Sequence, residues 1–350
     1  MRSLANPGVQ AALAAAVLFG AGTPVAKLLL SDASPWMLAG LLYLGSGIGL
    51  GLYRLIRRPA RVRLERHDLL PLGGAVLAGG VIGPVLLMFG LVGMPASGAS
   101  LLLNAEGVAT ALLAWFVFKE NFDRRIALGM VAIVAGAVVL SWPGQADFAG
   151  VLPTVAILGA CVAWGIDNNL TRKVALHDAT WLAAVKGLVA GPVNLCLAFL
   201  LGASLPPLLS TGAAMLTGLL AYGISLVLFI VALRHIGTAR AGAYFSIAPF
   251  FGALLAILMG EPLTVPLLIA GALMALGVWL HLSESHSHPH THEPFEHEHW
   301  HTHADGHHDH EHDESVAAGT RHRHRHAHVE VTHTHEHYPD SHHRHSHPAD

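Results

Sequence analysis

Residues 69–92 read LLPLGGAVLAGGVIGPVLLMFGLV, and residues 95–118 read PASGASLLLNAEGVATALLAWFVF. Each run is apolar for at least the roughly 20 residues that an α-helix needs to cross a bilayer. Only Gly93 and Met94 separate the two runs, so the chain turns back at once. The pair therefore predicts two consecutive transmembrane helices joined by a short connection.

Eight further apolar runs flank this pair, and the fold class they predict is all-α integral membrane. Their number excludes a large soluble helical protein, and their short connections leave the backbone polar groups to be satisfied inside helices, as lipid requires. We number the ten runs as spans one to ten: residues 8–30, 35–53, 69–92, 95–118, 126–142, 150–170, 179–201, 212–233, 239–259 and 263–282.

The composition divides the chain at residue 282. Of 350 residues, 53% are hydrophobic and 12% are charged, whereas soluble domains carry about 25% charged residues. The apolar part ends at Leu282, and everything from Ser283 onward is polar. The net charge of -3 gives no reason to expect a nucleic-acid partner. Cys161 and Cys196 both lie in apolar runs and are interpreted as helix-packing residues.

Basic residues concentrate in the even-numbered connections between spans, and the odd-numbered connections hold essentially none. This bias places the even connections, and with them both termini, in the cytoplasm of an inner or plasma membrane. The basic residues of the even connections are Arg54, Arg57, Arg58, Arg61, Arg63, Arg66, Lys119, Arg124, Arg125, Arg172, Lys173, Arg234 and Arg240.

The two halves of the apolar part resemble each other. Three motif pairs recur in the same order: Phe19-Gly20 with Trp164-Gly165, Lys119-Glu120 with Gly260-Glu261, and Gly136-Ala137-Val138 with Gly277-Val278-Trp279. Because five spans per half is an odd number, the second half is predicted to be inserted upside down. Inverted repeats of this kind are typical of transporters that hold the solute where the repeats meet.

Three stretches resemble a known family: FGAGTPVAK at residues 19–27, AGAVVL at residues 135–140 and GEPL at residues 260–263. Their order and the internal doubling resemble the EamA-domain branch of the drug/metabolite transporter superfamily. The resemblance implies two EamA-like five-helix repeats, residues 8–142 and 150–282. It also implies a pathway lined by spans one to four and six to nine, with spans five and ten peripheral. Span nine keeps a family-like Pro249, whereas span four departs from the family with Glu106 near that point.

Five polar residues inside the spans are predicted to serve transport or its coupling: Glu106, Asn104, Asp167, Asn168 and Lys186. An ionisable side chain in a bilayer costs about 2.5–3.5 kcal/mol and therefore needs a reason. Glu106 is interpreted as a proton-coupling or solute-binding carboxylate, and the structural alternative is a protonated acid that bonds to neighbouring helices. Asp167 and Lys186 have similar depths and are predicted to pair, either as a salt bridge between helices or as a gate.

Residues 283–350 form a polar tail that holds 23 of the 27 histidines. Such composition cannot form a packed core, so disorder is predicted in the absence of ligand. Neutral imidazole suits divalent Zn, Ni, Co or Cu, and most of these groups are unprotonated at cytosolic pH. The predicted metal ligands are His299, His301, His303, His307, His308, His310, His312, His333, His335, His337, His342, His343, His345 and His347.

The sequence carries no nucleophile–base arrangement and no phosphate-binding glycine loop, so we expect neither an enzyme nor an ATP-driven pump, and no required cofactor. The predicted function is a secondary transporter that moves a small organic solute by alternating access and carries a cytosolic metal-binding tail. A divalent metal exporter of Ni, Co or Zn is one alternative, although the spans show no His or Asp cluster with ligand spacing. A membrane metal sensor that transports nothing is another, and a homodimer stays open.

Overall fold

The structure is a computed structural model. It describes residues 6–59, 62, 64–118, 124–141, 151–174, 178–236, 238–282, 286–292, 295–301, 322–328 and 331–337. The chain divides into two compact units, Met1–Glu284 and Ser285–Asp350.

Within its described residues, the first unit consists of helices. Two π-helical segments interrupt it, Val76–Ile82 between α3 and α4 and Leu219–Ile224 between α10 and α11. The α-helices are α1 Pro7–Leu29, α2 Pro35–Arg57, α3 Arg66–Ala75, α4 Gly83–Gly93, α5 Ala96–Leu102, α6 Ala105–Phe118, α7 Arg124–Ser141, α8 Val151–Val174, α9 Ala179–Leu200, α10 Leu208–Gly218, α11 Ser225–Ile236, α12 Thr238–Phe245, α13 Ala248–Leu258 and α14 Val265–Leu282.

Seven helical stretches in the described residues are long and apolar enough to cross a membrane: Pro7–Leu29, Pro35–Arg57, Arg66–Gly93, Ala96–Leu113, Val151–Thr171, Ala179–Leu200 and Leu208–Ala232. Three shorter apolar helices lie in spans five, nine and ten: Ala127–Ser141, Ala248–Leu258 and Val265–Leu280. Large apolar side chains such as Leu70 and Leu208 point outward, as contact with lipid requires. The chain is therefore an integral membrane protein.

Polar caps fix where the helices begin. Asn6 Oδ1 accepts a hydrogen bond from the Gly8 N–H at 2.8 Å at the start of α1. Asp178 Oδ1 accepts one from the Trp181 N–H at 3.0 Å at the start of α9. Asp178 also pairs with Arg54 at the end of α2, with Nη1 and Oδ2 2.8 Å apart. Burial alone would raise the pKa of Asp178, but the hydrogen bonds from Arg54 and from backbone N–H groups hold that pKa below its usual value.

The same two helix interruptions occur in the same order in both halves. Spans three and eight each pass through a π-helical segment in mid-helix. Spans four and nine each break in two, with turns at residues 103–104 and 246–247. π-segments and broken helices free backbone carbonyls that an unbroken helix would use internally.

Packing between the halves is reciprocal. Span one contacts spans eight and nine of the second half, and span six contacts spans three and four of the first half. Spans two and seven, four and nine, and five and ten pair directly. Small residues permit this closeness: a Cβ on Gly47 of span two would lie 2.5 Å from the Leu188 nitrogen of span seven. Spans five and ten pack mainly against each other, away from the other pairs.

Glu261, in the connection after span nine, caps the start of span four rather than the helix that follows it. Its Oε1 accepts a hydrogen bond from the Ala96 N–H at 2.6 Å, and its Oε2 accepts one from the Ser97 N–H at 2.8 Å. Gly260 takes a φ of 105° to turn the chain there. At this same end, Lys27 Nζ donates to the carbonyl of Leu91. Two charged side chains therefore tie one end of the helix bundle together.

The second unit contains two antiparallel strand pairs. β1 His286–His292 pairs with β4 Val331–His337, and β2 Phe295–His301 pairs with β3 His322–His328. The register sets histidine opposite histidine, for example His288 with His335. The His-x-His alternation has the period of two that a strand requires.

Of the predicted metal ligands, His299, His301, His333, His335 and His337 lie in these strands. The other nine lie outside the described residues: His303, His307, His308, His310, His312, His342, His343, His345 and His347.

Candidate functional site

Glu106 lies in the first turn of α6, just after the break in span four, and faces span six. Asn168 Nδ2 donates to Glu106 Oε1 at 2.9 Å and to Thr110 Oγ1, one turn further along α6, at 3.2 Å. The neighbouring Asn169 donates to the Thr110 carbonyl at 3.2 Å and to the Gly165 carbonyl at 2.8 Å. These amides fix α8 against α6, so a carboxylate and a hydroxyl from the first half meet two amides from the second half.

Asp167 and Lys186 form the contact that the sequence predicts. Lys186 Nζ on α9 lies 2.5 Å from Asp167 Oδ1 on α8. Thr171 completes the group, since its Oγ1 donates to Asp167 Oδ1 at 2.8 Å and accepts from Lys186 Nζ at 2.9 Å. Both charged side chains are largely buried, with 12% and 13% exposed. Pairing offsets the cost of removing each charge from water.

The π-segment of span three packs directly on this ion pair. A Cβ on Gly79 would overlap the carboxylate of Asp167, so only glycine fits there. The Gly79 carbonyl accepts hydrogen bonds from the Tyr43 hydroxyl at 2.6 Å and from Trp164 Nε1 at 3.0 Å. The Gly80 carbonyl accepts one from Asn194 Nδ2 at 3.0 Å. Side chains from spans two, six and seven therefore converge on the carbonyls that the π-segment frees.

A chain of aromatic rings lies beside the polar residues. Tyr43 and Tyr222 have ring centroids 5.5 Å apart, and Phe19 lies 6.0 Å from Tyr222. Phe245 lies 5.3 Å from Phe19 and 4.7 Å from Phe229. The rings come from spans one, two, eight and nine, so they join both halves.

Glu106 is half-buried among the helices, so its side chain stays partly accessible to solvent. Asp167 and the Tyr43 hydroxyl both lie against Gly79, and Tyr222 neighbours Tyr43. Asp167 directly precedes Asn168, the hydrogen-bond partner of Glu106. The polar cluster and the nearest aromatic rings therefore belong to one site, which we call the central site: Glu106, Thr110, Asn168, Asp167, Lys186, Thr171, Tyr43 and Tyr222.

The central site contains four of the five polar residues singled out in the sequence. Asn104 lies apart, because its Nδ2 donates to the Leu101 carbonyl at 2.9 Å and contacts Met274 Sδ of span ten at 3.9 Å. Its place is the turn that breaks span four. Sequence reasoning missed Thr110, Thr171, Tyr43 and Tyr222, which carry no charge. Tyr43, Thr110 and Tyr222 lie well inside predicted spans, and this position was the available signal.

No three His, Cys, Asp or Glu side chains come together as a metal site among the residues that the structure describes. The central site instead offers groups that suit a proton or a small polar solute: two carboxylates, one of them paired with Lys186, together with hydroxyl groups, amides and aromatic faces.

The chain is similar to known transporters. Residues 6–142 and again residues 152–283 match the EamA-like transporter family. An uncharacterized transporter of Methanothermobacter thermautotrophicus is 31% identical over 289 residues, which cover 77% of this chain and 84% of that protein. A probable amino-acid metabolite efflux pump of Salmonella typhimurium is 31% identical over 173 residues, 48% of this chain and 54% of the pump.

A solved crystal structure of a protein resembles this fold with a TM-score of 0.58 at 18% identity. The match covers 77% of this chain and 95% of that one. At this identity the likeness concerns the fold alone.

Proposed function

Because the chain belongs to the EamA-like transporter family, we propose that it is a secondary transporter that carries a small organic solute by alternating access, with Glu106 as the coupling carboxylate. Family membership makes the protein a membrane transporter and not an enzyme. We further propose that the solute is a small organic molecule, that its movement is coupled to protons, and that the two halves are related by a two-fold axis.

Three features support two inversely inserted halves with ten crossings. The family match occurs twice along the chain. Both halves have a π-segment in their third span and a break in their fourth. The contacts between the halves are reciprocal, as a two-fold axis in the membrane plane requires. In transporters built this way, interrupted helices at corresponding positions point to the solute site. The basic even connections support cytoplasmic termini.

Glu106 carries the proposed function. It follows the break in span four, it is partly accessible, and its partner Asn168 belongs to the other half. Protonation of this carboxylate weakens the hydrogen bond from Asn168, because the ionised form is the stronger acceptor, and so changes the contact between the halves. A group that exchanges protons and also joins two moving parts can couple proton movement to their rocking.

The Asp167–Lys186 pair has a supporting role in this proposal. Both residues belong to the second half, so their ion pair need not break when the halves rock against each other. The pair holds α8 against α9 and presents the Asp167 carboxylate to Gly79 of the first half. We propose that it positions span six at the central site.

A small organic metabolite fits the central site better than a metal ion does. Within the described residues no cluster of metal-binding side chains exists. The names of two relatives, from Salmonella typhimurium and Escherichia coli, both refer to amino-acid metabolite efflux. The exporter of divalent metal therefore ranks second.

The tail is proposed to bind divalent Zn, Ni, Co or Cu and to regulate transport from the cytoplasm. Alternating histidines support this proposal, and so does the strand register that sets His299 opposite His324. Paired imidazole-bearing residues in one ribbon suit a metal that takes several nitrogen ligands.

Flux in proteoliposomes tests the role of Glu106. The protein is incorporated into liposomes loaded with a pH-sensitive dye. Amino acids or permanently charged organic ammonium ions are then added outside, so that each solute has a gradient across the membrane. The wild-type protein is expected to move protons in response to at least one solute. Glu106→Gln keeps the hydrogen bond from Asn168 but cannot exchange a proton, so solute-driven proton movement should disappear. Glu65→Gln, which removes an exposed carboxylate outside the spans, is the control and should match the wild type.

Wild-type proton movement in Glu106→Gln would remove that residue from the mechanism. If a well-incorporated protein moves neither a solute of the panel nor Ni²⁺, Co²⁺ or Zn²⁺, the metal-sensor alternative replaces the transporter proposal. The same liposomes test the tail: removal of residues 283–350 should leave flux intact and abolish any response of flux to added Zn²⁺ or Ni²⁺. Loss of insertion on truncation would make the tail structural instead.

A further inference from the structure

Building on the proposed transport function, we infer that the solute is an organic cation, with an ammonium group beside an apolar or aromatic body, and not a zwitterionic amino acid. The ammonium group binds at Glu106, and the body lies against the aromatic rings of the central site. Three observations carry this inference: the unpaired carboxylate, the lack of an available cation, and the ring chain.

The first observation concerns the negative charges. Among the described side chains Glu106 has no ion pair, and its hydrogen-bond partner Asn168 is neutral. Asp167, the other interior carboxylate, is already neutralised by Lys186 and bonded to Thr171. When Glu106 is deprotonated, the described central site therefore has one uncompensated negative charge. A cationic ligand would supply the missing counter-charge, because a buried charge is costly without a partner.

The second observation concerns what would hold the carboxylate of an amino acid. Lys186 is engaged by Asp167 and Thr171. Lys27 donates to backbone carbonyls at one end of the bundle, and Arg54 pairs with Asp178 beyond the end of α2. In the part of the interior that the structure describes, no cation is left for a second carboxylate, and Glu106 would repel it.

The third observation is the ring chain from Tyr43 through Tyr222 and Phe19 to Phe245. Tyr222, Phe19 and Phe245 are partly accessible although they lie among the helices. Tyr43 donates to the Gly79 carbonyl beside Asp167, and Asp167 directly precedes Asn168, the partner of Glu106. Aromatic faces attract ammonium groups and also bind apolar bodies. A carboxylate next to such faces is a site for an amphiphilic cation.

Three probes that share a phenyl ring separate the charge requirements. Phenethylamine carries only the ammonium group, phenylalanine carries both charges, and 3-phenylpropionate carries only the carboxylate. Binding of each to the full-length protein in detergent is measured by calorimetry at neutral pH. Phenethylamine should bind at least about tenfold more tightly than phenylalanine, and phenylpropionate should not bind measurably. Phenylalanine binding as tight as that of the amine overturns the inference, and so does an absence of amine binding.

Variants connect this selectivity to the residues. Glu106→Gln and Tyr222→Leu should each weaken phenethylamine binding by about tenfold, while Glu65→Gln should leave the binding unchanged. Thermal melting of each variant verifies that it is folded. If Glu106→Gln is not folded, Tyr222→Leu and the three-probe series on the wild type still decide the matter. Unweakened binding in a folded Glu106→Gln protein contradicts the assignment.

Failure here is distinguishable from failure of transport. A protein that exports phenylalanine in a Glu106-dependent way keeps its proposed function and refutes only the cationic solute. A protein that binds the amine and moves nothing keeps the cation site and refutes the transporter.

Discussion

At the scale of single residues, charge and polarity determine which contacts the sequence can predict. The sequence predicts the contact between Asp167 and Lys186, because two opposite charges at similar depth in adjacent spans each need a partner. It also identifies Glu106 as an interior acid. It does not identify Asn168 as the donor to Glu106, since contacts between spans four and six depend on how the halves rotate against each other. Asn104 was grouped with Glu106 from proximity in sequence, and the break between them separates their surroundings.

The ion pair leads to a prediction about stability. Lys186→Met removes the partner of a buried carboxylate, so it should destabilise the folded protein by about 3 kcal/mol. Adding Asp167→Asn removes the orphaned charge and keeps a polar partner for Thr171, so the double variant should recover most of that loss. Thermal melting in detergent compares the three proteins. A Lys186→Met protein that melts like the wild type would show that the pair contributes nothing.

At the scale of elements, hydropathy predicts the helices but not their interruptions. The first predicted span, residues 8–30, nearly coincides with α1 at Pro7–Leu29, because Asn6 caps the helix and Pro7 begins it. The π-segment at Val76–Ile82 lies inside a run that is apolar throughout, and the turn at residues 103–104 lies inside a run that is mostly apolar. Nothing in apolar periodicity distinguishes an α-helix from a π-helix there. The cause is tertiary: Asp167, Tyr43 and Trp164 require the backbone of Gly79 to come close.

Two glycines of span three provide a matched test of this element. A methyl group on Gly79 would overlap Asp167, whereas the space around Gly73 of α3 is open within 4 Å. Gly79→Ala should lower the melting temperature and reduce flux strongly. Gly73→Ala should be neutral or stabilise by up to about 1 kcal/mol, because alanine favours a helix over glycine. Melting curves and flux measurements of both variants test these two predictions. Equal behaviour of the two would mean that the π-segment does not pack on Asp167 in the membrane.

At the scale of the whole molecule, the proposed transport mechanism depends on the arrangement of the two halves. The count of apolar runs and the one-sided basic residues predict ten crossings and cytoplasmic termini. The double family match and the reciprocal contacts agree with a duplicated architecture. An inverted duplicate puts the first connection of one half and the first connection of the other half on opposite sides of the membrane. The central site then lies between parts that can rock and expose it to each side in turn.

Site-directed labelling of those two connections is the most direct test of this central claim. In a background with Cys161→Ala and Cys196→Ser, single cysteines replace Ser31 in the first connection and His177 in the sixth. A membrane-impermeant maleimide should label Ser31→Cys in intact cells and His177→Cys only after the cells are opened. Labelling of both positions from the same side would contradict the inverted halves, and with them the transport mechanism proposed for Glu106.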